Sequence, residues 1–119
     1  MTTTATTDPS CVFCRIVKRE IPSTPVFENE EFFAFRDIAP KAPIHVLVIP
    51  KAHLPRLSAA TPADAPLLAR LFLAVAGIAR AEKASDYRLV VNNGAEAGQS
   101  VDHLHVHLLA GRSLSWPPG

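Results

Sequence analysis

The segment from His103 to Leu108 alternates strictly between histidine and an aliphatic residue, and it contains three of the five histidines of the chain. Successive side chains of a β-strand point to opposite faces, so a strand from His103 to Ala110 would place the three imidazoles on one face. Histidines two residues apart would then lie about 6.6 Å apart along the strand. We predict that the aliphatic face enters the core and that the imidazoles line one polar site.

Three imidazoles on one face have two chemical uses. They can surround a tetrahedral phosphate group, or they can bind zinc or iron, for which imidazole is a good ligand. Neutral imidazole is also a nucleophile towards phosphorus, and its ordinary pKa of about 6.5 leaves it mostly unprotonated near neutral pH. The pattern therefore indicates either phosphoryl chemistry without metal or a metal site.

Four other segments have the composition of strands. Two aromatic-rich runs flank Asn29-Glu30-Glu31 and predict a hairpin. An almost wholly apolar run that stops at Pro50 predicts a central strand covered on both faces. The five predicted strands are Pro25–Glu28, Phe32–Arg36, His45–Ile49, Tyr87–Asn92 and His103–Ala110.

Two segments read as helices. Apolar residues recur at helical spacing between Thr61 and Lys83 and predict one long amphipathic helix, with either Thr61 or Asp64 at its start. A short helix is predicted from Cys11 to Glu20. Five strands, an early hairpin and one long helix indicate an α+β fold with an antiparallel sheet and the helix packed on one face. The apolar positions of the long helix are Leu67, Leu68, Leu71, Phe72, Val75 and Ile78.

Size and charge narrow the function classes. The 119 residues suit a single domain, residues 11–119, after a disordered tail of residues 1–10. Twelve basic residues face eleven acidic ones without a run of either, which argues against nucleic acid or an anionic membrane as a partner. The apolar run Val46–Ile49 is too short to span a bilayer. Two cysteines and no signal-peptide pattern predict a cytoplasmic protein.

The segment Gln99–Leu109 resembles the signature of the histidine-triad family, in which three histidines alternate with apolar residues. Phe35–His53 is similar to the nucleotide-binding half of that family. The ending Gly111-Arg112 … Trp116-Pro117-Pro118-Gly119 resembles one branch, the histidine-triad nucleotide-binding proteins, which are purine nucleoside phosphoramidases. The resemblance runs from about Cys11 to Gly119. It implies a homodimer, with the C-terminal tail reaching the partner subunit's site.

The resemblance also implies catalytic roles. His105 matches the nucleophile, which attacks the α-phosphorus and forms a covalent nucleotidyl-histidine that water then hydrolyses. His107 matches the triad member that contacts phosphate oxygens, and His45 matches a fourth histidine that joins the cluster. The loop residues Gln99 and Ser100 would supply donors to the phosphate and the leaving group. No cofactor is required for this chemistry.

The same resemblance implies nucleotide contacts at six further positions. Asp37 would accept hydrogen bonds from the ribose hydroxyls, although a lone acid after a strand is also typical of a turn. Asn92 matches an amide on the phosphate or ribose side, and it is equally natural as a turn residue. An apolar slot would hold the purine, with modest discrimination between adenine and guanine. Its residues would be Phe13, Ile16, Phe35 and Ile38, which without the resemblance would be read as core.

Cys11-Val12-Phe13-Cys14 is half of a zinc-binding pattern. The resemblance to some bacterial-type members supplies the other half, His53 and His103, as ligands of a structural zinc. His103 would then be a scaffold residue and would no longer contact phosphate. Two free thiols and a redox-active disulfide remain open as alternatives.

Three functions stay in view alongside the phosphoramidase. A dinucleoside polyphosphate hydrolase of the same superfamily would use the same histidines, but the Trp116–Gly119 ending favours the first branch. A regulatory or scaffold protein could keep the nucleotide pocket. A metal-dependent hydrolase would use all three histidines as ligands. Asp102 departs from the aromatic residue of animal relatives and would either bond a histidine or face solvent, and the role of Arg36 is open.

Overall fold

The computed structural model describes residues 7–119. Its five strands form one antiparallel sheet in the order β1-β2-β3-β5-β4, with one long helix, which confirms the predicted α+β class. Short 3-10 turns lie at Leu57–Ala59, Pro62–Asp64 and Ala95–Ala97. The regular elements in chain order are α1 Val12–Val17, β1 Pro25–Glu28, β2 Phe32–Arg36, β3 Ile44–Pro50, α2 Ala65–Ala81, β4 Tyr87–Val90 and β5 Val106–Ala110.

The central strand β3 is buried on both faces, as predicted. It pairs with β2 on one side and β5 on the other, and Val46 lies opposite Leu108. Pro50 is the last residue of this strand, opposite Phe32. Strand β3 is hydrogen-bonded to β2 and to β5. This pairing fixes the register between the histidines of β3 and β5.

One face of the sheet packs against α2. The inner face of this helix buries Leu71, Val75 and Ile78 against Val46 and Leu108. Burial of each such side chain contributes about 1.5–3 kcal/mol. Leu104, Val106 and Leu108 all enter this core, as the alternation predicted.

The outer face of α2 is partly apolar. Phe72, predicted to lie in the buried stripe, is 45% exposed, and Leu73 is 71% exposed. Within the described residues, Pro62–Ala81 is long and apolar enough to cross a membrane by length and composition alone. Its buried inner stripe shows it to be the core helix of this domain in the structure described.

The opposite face of the sheet is covered by α1. Phe13, Cys14 and Ile16 pack on Phe35 and Leu47 in a second, smaller core. The helix is shorter than predicted and ends at Val17, because the chain turns at Arg19, which has a positive φ of 65°.

The segment before α1 was predicted as part of a disordered tail. Residues 1–6 lie outside the described residues. Asp8 to Ser10 form a turn in which the Ser10 amide donates to Asp8 Oδ1 at 2.9 Å and the Cys11 amide donates to the Asp8 carbonyl at 3.0 Å. This turn leads into Cys11, the N-cap of α1.

One of the two predicted starts of the long helix is confirmed, and two strand boundaries need correction. Helix α2 begins at Ala65 with Asp64 as its N-cap. Pro66 lies in the first turn, where backbone N–H groups have no acceptor within the helix, so a proline breaks no helical hydrogen bond. Strand β4 ends at Val90 rather than Asn92. Strand β5 begins at Val106 rather than His103. The Leu104 amide donates to the Leu54 carbonyl at 2.6 Å, so this stretch bonds to a loop and not to the sheet.

Candidate active site

Two cysteines and two histidines converge where α1 meets the segment that precedes β5. This cysteine–histidine cluster consists of Cys11, Cys14, His53 and His103. Cys11 Sγ lies 3.3 Å from His103 Nδ1, and Cys14 Sγ lies 3.4 Å from His53 Nδ1 and 3.6 Å from His103 Nδ1. The two Nδ1 atoms are 3.2 Å apart. Ligand atoms of a tetrahedral zinc are separated by roughly 3.3–3.8 Å, so these four separations are close to those expected around zinc.

The orientation of His103 supports the same fit. Its side chain is fully buried, and its Nε2–H donates to the Pro50 carbonyl at 2.8 Å. The proton is therefore on Nε2, and the Nδ1 lone pair faces the cluster, as in metal-binding histidines. Burial lowers the pKa of His103 to about 4 and raises the pKa of Cys14 to about 11. A metal ion would displace the thiol proton on binding.

His105 follows His103 by two residues and is also buried. Its Nδ1–H donates to the backbone carbonyl of His103 at 2.7 Å, which fixes the proton on Nδ1 and leaves the lone pair on Nε2. The ring packs edge-to-face on Phe13 at 5.1 Å between centroids. Burial lowers the pKa of His105, so the ring is neutral near pH 7. His105 thus presents a neutral nucleophilic nitrogen of fixed orientation.

A second cluster, the aspartate–histidine corner, consists of Asp37, His45 and His107. His45 Nε2 lies 2.9 Å from His107 Nδ1 and 3.4 Å from Asp37 Oδ2. The backbone amide of Lys41 donates to His45 Nδ1 at 3.0 Å. Neutral His45 therefore carries its proton on Nε2 and donates it to His107 Nδ1. His107 in turn carries its own proton on Nε2.

The corner forms one wall of an open cavity of about 330 Å³. Burial, followed by the neighbouring His105 and His45, lowers the pKa of His107 to about 4, so this ring is neutral as well. The His105 and His107 rings lie 5.0 Å apart between centroids. A neutral nucleophile thus lies beside a hydrogen-bond donor. The cavity is lined by Asp37, Ala39, Lys41, His45, Val90, Asn92, His107 and Leu109.

Asp37 and Asn92, which the sequence analysis proposed as nucleotide contacts, line this cavity together with the two histidines. Asp37 Oδ1 accepts from the Ala39 amide at 2.8 Å, and Oδ2 is directed towards His45. The carboxylate is therefore held in place at the cavity wall.

Other predicted site residues lie elsewhere. The expectation that the three triad histidines line a single site is wrong, because His103 belongs to the cysteine–histidine cluster. Ser100 is exposed and lines a separate cleft of about 280 Å³ with Asp8, His53 and Asp102.

The Gln99 side chain is used within its own loop. It accepts from the Gly94 amide at 2.8 Å and donates to the carbonyls of Pro55, at 2.8 Å, and Val101, at 3.1 Å. The side-chain oxygen and the side-chain NH2 group of Gln99 therefore both bond to the backbone. In this conformation Gln99 shapes the loop and does not face the cavity of the corner.

The four residues predicted for the purine slot do not form one open slot here. Phe13, Ile16 and Phe35 are buried in the second core, whereas Ile38 is 98% exposed. Asp102, whose role was open, pairs with Arg56 at 2.5 Å, and Arg36 pairs with Glu82 beyond the end of α2.

Sequence reasoning missed three backbone groups that orient the histidines. These are the Pro50 carbonyl, the His103 carbonyl and the Lys41 amide. Every residue except proline carries the same two backbone groups, so no side-chain pattern could have revealed them.

A family profile, the HIT domain, matches residues 18–114 of the chain. The protein belongs to the HIT domain family. An uncharacterized HIT-like protein of Synechocystis sp. is 53% identical over 109 residues, which cover 91% of this HIT protein and 96% of the relative. The 14 kDa zinc-binding protein of Zea mays is 46% identical over 115 residues, 94% of this chain and 90% of the relative. Adenylylsulfatase HINT1 of Arabidopsis thaliana is 44% identical over 115 residues, 94% and 78% respectively.

Solved HIT structures share the fold. A HIT family hydrolase from Legionella pneumophila superimposes with a TM-score of 0.90 at 46% identity, covering 92% of this chain and all of its own. The histidine triad nucleotide-binding protein from Candida albicans gives a TM-score of 0.76 at 36% identity, covering 91% of this chain and 83% of its own. These relatives confirm the family and support the nucleotide-binding branch that the C-terminal ending predicted.

Proposed function

We propose that this HIT protein hydrolyses purine nucleoside 5′-phosphoramidates to a nucleoside monophosphate and an amine, with His105 as the nucleophile. The observation that carries the proposal is the bond from His105 Nδ1–H to the His103 carbonyl, which leaves Nε2 unprotonated beside His107. The resemblance of the C-terminal ending to the phosphoramidase branch and the hydrolase among the structural relatives support it.

In the first step His105 Nε2 forms a bond to the α-phosphorus. The P–N bond to the amine breaks, its electron pair goes to the departing nitrogen, and that nitrogen takes a proton from water. The positive charge that develops on the His105 ring is stabilised by the Nδ1–H bond to the His103 carbonyl. Because the nucleophile is already buried and oriented, little reorganisation is needed to reach the transition state.

In the second step water attacks the same phosphorus and displaces His105. The hydroxyl group stays on phosphorus, the electron pair of the P–N(His) bond returns to Nε2, and the remaining proton goes to solvent. His107 Nε2–H donates a hydrogen bond to a non-bridging phosphoryl oxygen in both steps. Asp37 accepts from the ribose hydroxyls, since its carboxylate lies at the wall of the cavity that the corner bounds.

We further propose that the cysteine–histidine cluster binds a structural zinc. Zinc bound there would supply a closed tetrahedral cross-link between α1 and the segment that carries the nucleophile. The ligand separations, the inward Nδ1 lone pair of His103 and the name of the maize relative support this assignment. The reaction steps above use no metal.

A second substrate class is favoured by one relative, whose name describes an adenylylsulfatase. Adenosine 5′-phosphosulfate presents the same nucleotide and the same α-phosphorus, with sulfate as the leaving group. His105 could attack either substrate in the same way, so the leaving-group side decides between them. Dinucleoside polyphosphates remain the third class to compare.

We also propose that the protein is a homodimer. Strand β4 lies at an edge of the sheet, and the outer face of α2 leaves Phe72 and Leu73 exposed. A second copy would cover both the open edge and this apolar face. Light scattering should give twice the mass of the chain, and Leu73→Glu should shift it towards the monomer.

The substrate proposal is tested by product formation from three compounds: adenosine 5′-phosphoramidate, adenosine 5′-phosphosulfate and diadenosine polyphosphates. We expect AMP release to be fastest from the phosphoramidate, to persist during brief exposure to chelator while the protein keeps its bound metal, and to be lost in His105→Ala. Mass spectrometry of rapidly quenched wild type should show a nucleotide on His105. Faster release from another compound would reassign the substrate, and full activity of the variant would refute the nucleophile.

A further inference from the structure

By composition the aspartate–histidine corner resembles a metal site. Two imidazoles and one carboxylate are the ligand set of many transition-metal centres, and here their ligand atoms all lie within 4.8 Å of one another. The open cavity beside them would leave room for further ligands. The hydrogen bonds of these three residues decide between a metal site and a hydrogen-bond donor.

The hydrogen bond from Lys41 argues against a metal site. A histidine binds a metal through an unprotonated nitrogen and keeps its proton on the other one, which normally donates to a carbonyl or carboxylate. The outer nitrogen of His45 instead accepts from the Lys41 amide at 3.0 Å. A metal on Nε2 would force the proton onto Nδ1, where it would face the Lys41 N–H at the half-buried contact beside the His45 ring.

We propose that the backbone amide of Lys41 fixes the protons of His45 and His107 on their Nε2 atoms, which makes the corner a hydrogen-bond donor to phosphoryl oxygen and prevents it from binding a divalent metal. The donor role rests on the proposed function, whereas the exclusion of metal does not. Lys41 is thus a positioning residue that acts through its main chain.

The same bond limits what His107 can do. Within the protein, the one group that contacts His107 Nδ1 and could return a proton to it is His45, through its Nε2–H. His45 cannot replace that proton from the Lys41 amide, because a backbone amide is not acidic enough to release one. The pair therefore donates hydrogen bonds to the phosphoryl group, and no proton relay runs through His45 to the leaving amine.

Substitution at position 41 tests the proposal, since only proline removes a backbone N–H. Lys41→Ala is the matched control, because it removes the side chain and keeps the amide. Two-bond ¹H–¹⁵N spectra of labelled full-length protein, assigned with His45→Gln and His107→Gln, report which nitrogen carries each proton. Zinc binding is measured by equilibrium dialysis and elemental analysis on the same samples.

We expect wild type and Lys41→Ala to show Nε2–H on His45 and to bind zinc only at the cysteine–histidine cluster. Lys41→Pro should lose this preference on His45. It should gain a second zinc with an affinity at least roughly 10-fold above that of the corner in wild type, by analogy with the cost of losing an outer hydrogen bond. The second zinc should disappear when His107→Gln is added.

Nδ1–H on His45 of the wild type, or a second zinc bound by wild type at the corner, would overturn the proposal. Equal zinc binding by folded Lys41→Pro and Lys41→Ala would overturn it too. If Lys41→Pro fails to fold, the wild-type spectrum and zinc content still decide. Neither readout depends on phosphoramidase activity, so failure here is distinct from failure of the proposed function.

Discussion

The cysteine–histidine cluster and the aspartate–histidine corner lie on the same side of the sheet, and both are built around buried, neutral histidines. His103 and His45 even carry their proton on the same atom, Nε2. They differ in which nitrogen faces inward. A backbone carbonyl holds the Nε2–H of His103 on the outside, whereas a backbone amide holds the Nδ1 of His45 there. The first cluster therefore presents lone pairs and the second presents a proton.

This difference shows that residue type alone does not distinguish a metal site from a hydrogen-bond donor. Two backbone groups of opposite polarity direct similar side chains to different chemistry. His105 lies between the two clusters in sequence and has the third arrangement, with Nδ1–H on the His103 carbonyl and a free Nε2. The segment His103–His107 thus combines the proposed zinc ligand, the proposed nucleophile and a hydrogen-bond donor.

The largest effect should come from the residue between the clusters. His105→Ala should lower kcat/KM on adenosine 5′-phosphoramidate by about 10⁴-fold or more, because it removes the nucleophile itself. Zinc content and Tm should change little, since His105 contributes no ligand. Steady-state kinetics with elemental analysis of the same preparation checks both. If His105→Ala lost zinc along with activity, the separation of His105 from the cysteine–histidine cluster would be contradicted.

Breaking the metal cluster should affect stability first. Cys14→Ser should abolish zinc binding and lower the free energy of unfolding by about 4 kcal/mol in free zinc at a thousand times the Kd. This corresponds to a fall in Tm on the order of 10 °C or more for a domain of this size. Differential scanning calorimetry with and without zinc measures it. If Cys14→Ser had the Tm of wild type, and if zinc did not raise the Tm of wild type, a structural metal would be contradicted.

Removing the donor of the corner should leave zinc untouched. His107→Ala should reduce kcat by about 10²-fold, the usual effect of losing one donor to a developing oxyanion, with normal zinc content. His107→Gln keeps an amide donor at similar reach and should recover part of the loss. If glutamine were no better than alanine, the role of His107 would be to hold the structure and not to donate.

The depressed pKa values predict the pH dependence. Burial lowers the pKa of His107 to about 4, while a histidine in the unfolded chain has a pKa of about 6.5. The folded state therefore takes up fewer protons, and its free energy of unfolding should be constant above pH 6.5 and decrease as the pH falls towards about 4. Denaturant titrations at several pH values measure this slope, which His107→Gln should flatten. A rise in stability over that interval would contradict neutral buried histidines.

Because burial also lowers the pKa of His105, the activity should follow the same direction. The acid limb of kcat/KM should lie below pH 6.5, since the nucleophile remains unprotonated there. A limb centred above 6.5 would mean that a carboxylate, and not burial, controls this ring.

The smallest effect is expected beside the metal cluster. Asp102 is adjacent to His103 in sequence, but its carboxylate pairs with exposed Arg56. Such surface ion pairs contribute little, so Asp102→Asn should change the free energy of unfolding by less than about 0.5 kcal/mol and leave zinc affinity unaltered. Chemical denaturation and a competitive zinc titration check this. A large change in zinc affinity would place Asp102 in the cluster.

The sequence allowed much of this fold to be predicted. Alternation along His103–Leu108 and the apolar run of β3 predicted which side chains enter the helix-covered core. The start of β5 could not be predicted, because the Leu104 amide bonds to Leu54, a contact set by tertiary structure. The ends of the helices depended on local turns at Asp64 and Arg19.

The sequence predicted most members of the candidate site, but it did not predict that they divide into two separate clusters. Cysteine spacing and the family resemblance pointed to Cys11, Cys14, His53 and His103. The assignment of His103 to one site and His107 to another depends on backbone groups that have no sequence signature. The purine slot is the weakest part, since Ile38 lies in solvent and its three predicted partners lie in the core.

The central claim is that backbone polarity directs metal to one cluster and excludes it from the other. Anomalous diffraction at the zinc edge, from crystals of the full chain grown with excess zinc, tests it directly. We expect a strong peak within bonding distance of Cys11, Cys14, His53 and His103, and none between Asp37, His45 and His107. A peak at the corner, or none at the cysteines, would contradict the account.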